Sequence, residues 1–379
     1  MDTNPTIYLV AGEASGDAHG ASLMASLRAR AGGIRFLGAG GERMRAASGG
    51  AVVDWSDHAV IGVVDVLRNY GYFKAQLERM LGEIARERPD AVVLIDYPGF
   101  NLRLAARLRR LLPEMKIVYY ISPQVWAWNR GRIPRMARIL DLMLCIFPFE
   151  EELYNQSGLR TRFVGHPLTG RLAASRIAAP RESDLIALLP GSRNREVRRI
   201  FPVMLDTVHR LAAERELRFA ASAPRAALAE EMRAQARAAG LGPPRLEIAT
   251  GAAHDVMQRA AAGLVASGTA TLEAAFFGLP FALVYKVSWA TYWPARLLVR
   301  IPYLGIVNIL AGRQVVAEYI QARATAPRLA AELGRLLDDD AYRRSVLDGC
   351  AEAIELLGSG NASDQAAGFL LEEIARGRG

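Results

Sequence analysis

Short continuous apolar segments recur along the whole chain, and each is followed by a turn and then by a helical pattern. Strands without polar residues on either face need helices on both faces of their sheet, which is the arrangement of a parallel α/β sheet. Up to about Gly165 the sequence therefore predicts a doubly wound α/β domain. Its predicted strands are Ile7–Ala11, Ile34–Leu37, Ala91–Ile95, Lys116–Ile121 and Leu142–Phe147, and its predicted helices are Ala18–Arg30, Tyr72–Arg88 and Leu102–Leu112.

The same pattern restarts after a polar, alanine-rich stretch at Arg171–Ser183, which is typical of an interdomain linker. We predict two successive doubly wound domains, residues 1–170 and 171–340. The C-terminal helices over residues 341–379 would pack back on the N-terminal domain or on a partner subunit. The predicted strands of the second domain are Leu185–Leu189, Leu217–Ala221, Leu246–Ala249, Gly263–Ala266 and Phe281–Tyr285, and its predicted helices are Pro202–Glu214, Ala226–Ala239, Asp255–Ala262 and Thr269–Phe277.

The composition limits chemistry and location. The 379 residues include 47 lysines plus arginines against 39 acidic residues, a net charge of +8, and two cysteines, Cys145 and Cys350. So few cysteines exclude a disulfide scaffold and a cysteine-based metal cluster. The chain has no cationic leader and no apolar stretch of ~18–20 residues, so we expect a cytoplasmic protein that does not cross a membrane. The basic charge favours nucleic acid, anionic lipid headgroups or nucleotides as partners.

The sequence lacks the motifs of several common enzyme chemistries. It has no Gly-Lys-Ser/Thr phosphate loop, no complete dinucleotide-binding glycine pattern and no Gly-x-Ser-x-Gly nucleophile turn. Its five histidines do not stand at the spacing of metal ligands. Hydride transfer, P-loop phosphoryl transfer, serine hydrolysis and zinc catalysis are therefore disfavoured.

A glycine-containing turn follows the first predicted strand and carries Glu13, Ser15, Gly16 and Asp17. Ligands bind at the carboxyl ends of strands in open α/β sheets, and the N–H groups of a helix start favour anions. We predict a ligand site here, with Glu13 and Asp17 as candidate catalytic carboxylates and Ser15 and Gly16 beside the ligand. The alternative is a tight turn in which Ser15 or Asp17 only caps the helix.

Asp96 directly follows the apolar strand Ala91–Ile95 and precedes a Pro-Gly turn. A carboxylate at the end of a buried strand is held in place and partly desolvated, which raises its proton affinity and suits a general base. The alternative is that Asp96 caps the helix predicted near Leu102.

An aromatic and basic segment, Tyr119–Arg132, follows the next strand and contains Trp126, Trp128 and Arg130. Aromatic faces stack on sugar rings and arginine forks bind phosphates, so these three residues are candidates for acceptor binding. The alternative is that the tryptophans are core residues.

Two strand-to-helix turns of the second half offer backbone N–H groups to a phosphate. Arg193 in the first turn adds a charge-assisted partner for a diphosphate, and Glu273 lies one helical turn beyond Thr269, close enough to bind ribose hydroxyls. Each turn alone is an ordinary capped turn, whereas together they predict a nucleotide diphosphate site. The candidate residues are Gly191, Ser192, Arg193, Ser267, Gly268, Thr269 and Glu273.

Six segments in this order resemble the lipid-A-disaccharide synthase family, from Ile7 to about Gln321 and more weakly through the terminal helices. They are GEASGD, IDYPGFN, ISPQVWAW, LPGSRNRE, ASGTATLEAAFFGLP and NILAGR. The resemblance implies an inverting glycosyltransferase of the GT-B type, with two Rossmann-like domains that face a cleft. It also implies that the N-terminal domain binds the acceptor lipid and the C-terminal domain binds the UDP-sugar.

The reaction and the residue roles are implied by the same resemblance. The enzyme would transfer 2,3-diacylglucosamine from UDP-2,3-diacylglucosamine to 2,3-diacylglucosamine 1-phosphate (lipid X), forming a β-1,6-linked disaccharide and releasing UDP. Asp96 is then the catalytic carboxylate. We expect no cofactor and no metal, because helix N-termini and Arg193 can neutralise the departing UDP. We expect no nucleic acid partner, and a homodimer stays open. The UDP side comprises Arg193, Ser267, Gly268, Thr269, Glu273 and Asn308.

Two apolar segments predict that the protein lies on a membrane. The first is Val60–Leu67, in which Val63, Val64 and Leu67 are candidate lipid contacts, and the second is Val287–Tyr303, which mixes tryptophans with arginines. Diacylated substrates and the positive net charge favour docking on the cytoplasmic face of the inner membrane. The alternative is that both segments are core.

Two other classes of protein remain open at this point. A related GT-B enzyme, such as the peptidoglycan N-acetylglucosaminyltransferase or a UDP-N-acetylglucosamine 2-epimerase, would share the motifs of the second domain. A non-enzymatic protein that binds nucleic acid or an anionic membrane would explain the basic charge. Against this second class, carboxylates beside the basic and aromatic residues would repel phosphodiesters.

Overall fold

The computed structural model describes residues 4–55, 70–177, 180–299, 301–358 and 361–376. The chain divides into two compact units, Met1–Pro167 with Leu357–Gly379, and Leu168–Leu356. Each unit is built on one parallel sheet whose strands alternate with helices, which confirms the predicted doubly wound architecture.

The elements of the described residues are numbered here in chain order. The strands are β1 (Thr6–Ala11), β2 (Arg35–Gly40), β3 (Val52–Asp54), β4 (Ala91–Ile95), β5 (Ile117–Tyr120), β6 (Leu142–Cys145), β7 (Thr161–Phe163), β8 (Glu182–Leu189), β9 (Arg218–Ala223), β10 (Leu246–Thr250), β11 (Ala260–Ala266), β12 (Phe281–Tyr285) and β13 (Glu318–Ile320). The helices are α1 (Ala14–Arg30), α2 (Glu42–Ala47), α3 (Tyr70–Glu87), α4 (Pro98–Leu111), α5 (Val125–Trp128), α6 (Ile133–Ile139), α7 (Pro148–Asn155), α8 (Pro167–Ala173), α9 (Asn194–Ala212), α10 (Ala226–Ala238), α11 (Ala253–Arg259), α12 (Thr269–Phe276), α13 (Trp289–Leu298), α14 (Ile306–Ala311), α15 (Ala326–Asp338), α16 (Asp340–Glu355) and α17 (Ala362–Ala375).

The sheet of the first unit has the strand order β3-β2-β1-β4-β5-β6-β7. Its central strand β1 is apolar throughout because it is buried on both faces: Tyr8 and Val10 belong to one core cluster, and Ile7 and Leu9 belong to another. The strand order reverses between β1 and β4, where Ala11 lies opposite Ile95. Such a reversal leaves a crevice at the carboxyl ends of the two strands, and this is where open α/β sheets bind ligands.

The sheet of the second unit has the order β10-β9-β8-β11-β12-β13 and repeats the same logic. Its strand order reverses between β8 and β11, where Leu189 pairs with Val265. The two turns predicted to bind a diphosphate therefore leave the sheet side by side. One begins at Pro190 and the other at Ser267.

The C-terminal helices separate between the two units, which differs from the prediction that residues 341–379 form one group. Helix α16 packs in the second unit against α12, α14 and α15, whereas α17 returns to the first unit and packs against α1. Leu370 of α17 joins the same core cluster as Ile7 and Leu9. The boundary between the units at Pro167 lies close to the predicted residue 170, and the predicted linker Arg171–Ser183 begins within α8 and ends within β8.

Several local predictions differ from the structure, and three of the differences have a clear physical cause. The edge strands β3, β7 and β13 were not predicted, because each has only three residues and shows no periodicity. The helix predicted to begin at Pro202 begins at Asn194 and contains this proline, because a long buried face holds the helix together on both sides of it. The helix predicted to reach Ala262 ends at Arg259, and β11 starts at the next residue.

Candidate active site

The reversal point of the first sheet brings the turn after β1 next to the turn after β4. Asp96 and Tyr97 both adopt left-handed backbone conformations, with φ of 46° and 47°. Three hydrogen bonds hold this unfavourable turn. The Asp96 N–H donates to Tyr120 O at 2.9 Å, and Asp96 O accepts from the Tyr119 hydroxyl at 2.5 Å and from Asn101 Nδ2 at 2.8 Å. Strain of this kind persists only where the surroundings fix it, and it concentrates at functional sites.

The electrostatics of this turn suit a proton acceptor. Burial raises the pKa of Asp96 above its usual value, and the negative charge of Glu13 raises it further, against a backbone hydrogen bond from Tyr97 that lowers it. Glu13 occupies the N-cap position of α1 but makes no capping hydrogen bond with its side chain. The Asp96 carboxylate is therefore a stronger base than an isolated aspartate.

Asp17, the third predicted catalytic carboxylate, is occupied elsewhere. It is 7% exposed, and its oxygens accept backbone N–H groups of Gly41 at 2.8 Å, Arg43 at 3.1 Å and Met44 at 2.9 Å. These donors open helix α2, so Asp17 caps that helix rather than its own. Its contacts favour a structural role. The neighbouring Ser15 is exposed and Gly16 is buried against Ala11.

Trp55, Tyr119 and Asn101 support the turn, a role that the sequence analysis did not predict for them. The Trp55 indole donates to Ala11 O at 2.6 Å and packs edge-on against Phe100, with ring centroids 5.0 Å apart. Asn101 is fully buried and also donates to Ile95 O at 3.2 Å. An asparagine in the first turn of α4 indicates a side chain that can hydrogen-bond to the preceding turn. The backbone groups that it contacts depend on the fold and cannot be predicted from the sequence alone.

The aromatic segment after β5 divides into a buried and an exposed part. Trp126 is 5% exposed, and its indole donates to Glu150 Oε1 at 2.8 Å, which is a core role. Burial raises the pKa of Glu150 to about 7. Trp128 is 47% exposed and lies under the Arg132 guanidinium at 5.2 Å, while Arg130 Nε donates to Trp126 O at 3.1 Å. Of the two tryptophans, Trp128 is therefore the one that can stack on a ligand.

Each of the two turns of the second unit contains a glycine with a positive φ angle. Gly191 and Gly268 have positive φ angles of 111° and 144°, and Gly268 is the N-cap of α12. The Arg193 side chain is 73% exposed, and its Nη1 lies 3.1 Å from Glu196 Oε1. Gly268 and Thr269 are exposed, and Ser267 is half-buried. The first turn, which includes Ser192, therefore presents a guanidinium, and the second presents the N–H groups of a helix start.

Glu273 lies between two basic side chains. Its Oε1 is 3.5 Å from Arg171 Nη2, and its Oε2 is 3.5 Å from His254 Nε2. The His254 ring packs on Phe277, with centroids 5.1 Å apart. The carboxylate is thus held in a fixed orientation, as a ligand for ribose hydroxyls requires.

Asn308, which was predicted on the UDP side, is engaged in hydrogen bonds within the protein. It is fully buried; its Oδ1 accepts from Val315 N at 2.7 Å and Val316 N at 2.9 Å, and its Nδ2 donates to Val316 O at 2.9 Å and Glu318 Oε1 at 2.8 Å. The carboxamide has no capacity left for a nucleotide. In this structure Asn308 holds the loop between α14 and β13, and its role on the UDP side stays a prediction.

The two predicted membrane segments have different outcomes. Val60–Leu67, with Val63, Val64 and Leu67, lies outside the described residues. In the second segment, Trp289 and Trp293 of α13 are 54% and 59% exposed and stack on each other, with centroids 6.2 Å apart. The alternative that they are core is wrong for these two side chains. Within the described part of the chain, no helix is long and apolar enough to span a bilayer.

Acidic and histidine side chains do not converge on a candidate metal site in the described residues. The sequence does contain one Asp-rich run, Asp338-Asp339-Asp340. Its side chains are engaged in other contacts: Asp338 pairs with Arg215, Asp339 accepts the Tyr342 N–H at 2.9 Å as a helix cap, and Asp340 pairs with Arg343.

The chain matches one protein family over nearly its whole length. A family model described as lipid-A-disaccharide synthetase matches residues 7–369. Lipid-A-disaccharide synthase of Myxococcus xanthus is 38% identical over 387 residues, covering 100% of both chains, and that of Anaeromyxobacter dehalogenans strain 2CP-1 is 41% identical over 369 residues, covering 94% of both.

Solved structures share the fold at much lower identity. The calicheamicin glycosyltransferase CalG4 is similar with a TM-score of 0.58 and 18% identity over 99% of both chains. A UDP-GlcNAc 2-epimerase from Neisseria meningitidis, solved with UDP-GlcNAc, is similar with a TM-score of 0.58 and 9% identity over 98% of this chain and 100% of that one. The fold is therefore the two-domain GT-B fold of glycosyltransferases and epimerases.

Proposed function

The chain belongs to the lipid-A-disaccharide synthase family, and from this premise we propose how its residues divide the work. As a member it is a glycosyltransferase that moves 2,3-diacylglucosamine from UDP-2,3-diacylglucosamine to lipid X and releases UDP. The observation that carries the division of roles is the strained Asp96 turn beside Glu13, at the reversal point of the first sheet.

Asp96 acts as the general base. The 6-hydroxyl of the acceptor attacks the anomeric carbon of the donor, the bond from that carbon to the UDP oxygen breaks with inversion, and the hydroxyl proton passes to Asp96. Glu13 supports this step through its charge, since a nearby carboxylate makes Asp96 a stronger base. Ser15 and Gly16 line the same turn and Trp128 offers a face for a sugar ring, which supports placing the acceptor on the first unit.

The second unit holds the nucleotide. The exposed Arg193 guanidinium exchanges its ion pair with Glu196 for an ion pair with the diphosphate. The backbone N–H groups around Gly268 and Thr269 donate hydrogen bonds to the diphosphate oxygens. Glu273, oriented by Arg171 and His254, accepts the ribose hydroxyls. These groups supply fixed positive potential for the departing UDP, so we propose catalysis without a metal ion.

A UDP-release assay with the two lipids, singly and together, tests this function. We expect release only when both are present, and we expect EDTA to leave the rate unchanged. An epimerase would consume a UDP-sugar without an acceptor, and a nucleic acid binder would be retained on heparin at low salt without binding UDP. A rate that EDTA abolishes and Mg²⁺ restores would contradict the metal-free step.

Both substrates carry acyl chains, so the enzyme must reach them at a bilayer. We propose peripheral docking on the cytoplasmic face of the inner membrane, supported by the exposed Trp289 and Trp293 and by the net charge of +8. A homodimer stays a prediction, which light scattering of the purified chain tests.

A further inference from the structure

A groove of about 430 Å³ lies on the first unit between α3 and α4, and it opens beside the turn that carries Tyr97. Its apolar lining includes Phe73 and Leu77 of α3 and Phe100 and Ala106 of α4. Phe73 and Phe100 face each other, with ring centroids 6.3 Å apart. A concave apolar surface of this volume is within the usual range for a small-molecule site.

The rim of the groove is cationic. Arg103, Arg107 and Arg110 stand at positions i, i+4 and i+7 of α4 and so share one face of that helix, and Arg135 joins them from α6. Arg107 is paired with Glu78 at 3.2 Å. In the part of the chain that the structure describes, no carboxylate forms an ion pair with Arg103, Arg110 or Arg135. Among the described residues, these three arginines give the rim of the apolar groove a positive charge that is complementary to an anionic amphiphile.

A second pocket of about 280 Å³ adjoins the groove. Arg103, Arg135 and Gly99 line both cavities, and the second adds Leu102 and Met136 as apolar lining. Two apolar cavities that share two arginines match a molecule with two acyl chains and one anionic group.

We propose that this groove binds the acceptor of the reaction, with one acyl chain in each cavity and the 1-phosphate on Arg103 and Arg135. The inference rests on the proposed function and assigns its acceptor site. The donor is also diacylated, but its anionic group is a diphosphate, for which the second unit provides Arg193. The lining of the groove includes Tyr97, the residue after Asp96, so a lipid held there brings its sugar toward the base.

Arg135 and Arg138 provide a matched test. Both are exposed on the short helix α6, but only Arg135 lines the cavities. The test variant combines Arg103→Glu with Arg135→Glu, and the control combines Arg86→Glu with Arg138→Glu, which makes the same change of net charge on exposed helical residues. Steady-state kinetics are measured in neutral detergent micelles, so that the charge of a bilayer plays no part.

In the test variant we expect the KM for the acceptor to rise ~10-fold or more, because charge-assisted phosphate contacts are replaced by repulsion. Three quantities should stay within ~2-fold of wild type in the test variant: the KM for the donor, kcat at saturating acceptor and the UDP-induced thermal shift. In the control variant, these quantities and the KM for the acceptor should all stay within ~2-fold of wild type. An acceptor analogue without its phosphate should bind wild type and test variant equally weakly. Ala106→Trp, which fills the groove, should raise the KM for the long-chain acceptor more than for a short-chain one.

Four outcomes would overturn the proposal. Equal increases in the test and control variants would mean a general charge effect, and a raised donor KM would place the donor in the groove. An unchanged acceptor KM would exclude the arginines. A loss of acceptor use only on anionic vesicles, and not in micelles, would make the groove a bilayer contact. Failure of the proposed function is separate, because it would appear in wild type as absence of UDP release with both lipids present.

Discussion

The ring of Tyr97 lies directly over Gly12. A Cβ at position 12 would stand 2.3 Å from Tyr97 Cδ1 and 2.5 Å from Cγ, so the turn after β1 and the turn after β4 fit together only because residue 12 has no side chain. Glu13 and Asp96 are the direct chain neighbours of these two residues. The contact therefore sets how the two carboxylates are placed relative to each other.

Gly12→Ala should displace Tyr97 and with it the Asp96 turn. We expect the free energy of unfolding to fall by ~1–3 kcal/mol, as for other overpacked sites, and kcat to fall at least ~10-fold. Adding Tyr97→Ala should return part of the stability but not the activity. Denaturant unfolding and the UDP-release assay measure both effects. The control is Gly82→Ala on α3, where a Cβ meets nothing within 4 Å; an equal loss there would refute the packing argument.

The acid limb of the kcat–pH profile should report Asp96. As the base it must be deprotonated, so activity should fall as the pH drops through its raised pKa. Glu13→Gln removes the negative neighbour that raises the pKa of Asp96, so the acid limb should move to lower pH.

Asp96→Asn should lower kcat by ~10²–10⁴-fold while UDP binding persists. Near-normal turnover of Asp96→Asn would transfer the role to another group.

The same pKa shift of Asp96 makes a prediction about stability. Its pKa is raised in the folded state, so the folded state binds a proton more tightly than the unfolded state, and stability decreases as the pH rises from the ordinary aspartate pKa through the raised one. Asp96→Asn should therefore stabilise the fold at neutral pH and gain little at acid pH, as measured by denaturant unfolding at both.

Asp184 serves as the control of opposite sign. Arg218 holds the pKa of Asp184 below its usual value, so its stabilising effect is present at neutral pH and is lost as the pH falls. Asp184→Asn should therefore destabilise most at neutral pH. If both variants change stability in the same direction with pH, the linkage argument fails.

The sequence predicts those features of the fold that depend on neighbouring residues. Ala91–Ile95 is apolar at every position because both faces are covered, and that pattern also places Asp96 at the end of a central strand. Asp17 could not be assigned in this way, because its three donors lie 24 to 27 residues away on another helix. A residue type alone cannot show whether its hydrogen-bonding capacity is already used.

Asn308, whose hydrogen-bonding groups are already used, and Arg193, which is exposed, illustrate this difference. One variant of each residue tests it. Asn308→Ala removes the acceptor of two buried N–H groups, those of Val315 and Val316, so we expect a loss of at least ~2 kcal/mol in unfolding free energy. Arg193→Ala removes an exposed side chain, so stability should change by under ~0.5 kcal/mol while UDP affinity falls by ~1.5–3 kcal/mol. Calorimetric titration with UDP measures the affinity of both variants, and denaturant unfolding measures their stability. A stable Asn308→Ala that has lost UDP binding would return Asn308 to the nucleotide site.

Trp289 and Trp293 should anchor the protein at a bilayer surface. Both rings are more than half exposed on α13, and burying a large apolar side chain contributes ~1.5–3 kcal/mol. Trp289→Ser with Trp293→Ser should therefore lower the partition onto anionic vesicles at least ~10-fold in co-sedimentation. Leu356→Ser, which removes another exposed apolar side chain of the same unit, is the matched control and should bind like wild type. Val64→Glu with Leu67→Glu tests the other predicted segment in the same assay. A wild type that stays in the supernatant at low salt, or a tryptophan variant that sediments equally well, would show that α13 does not dock on the membrane.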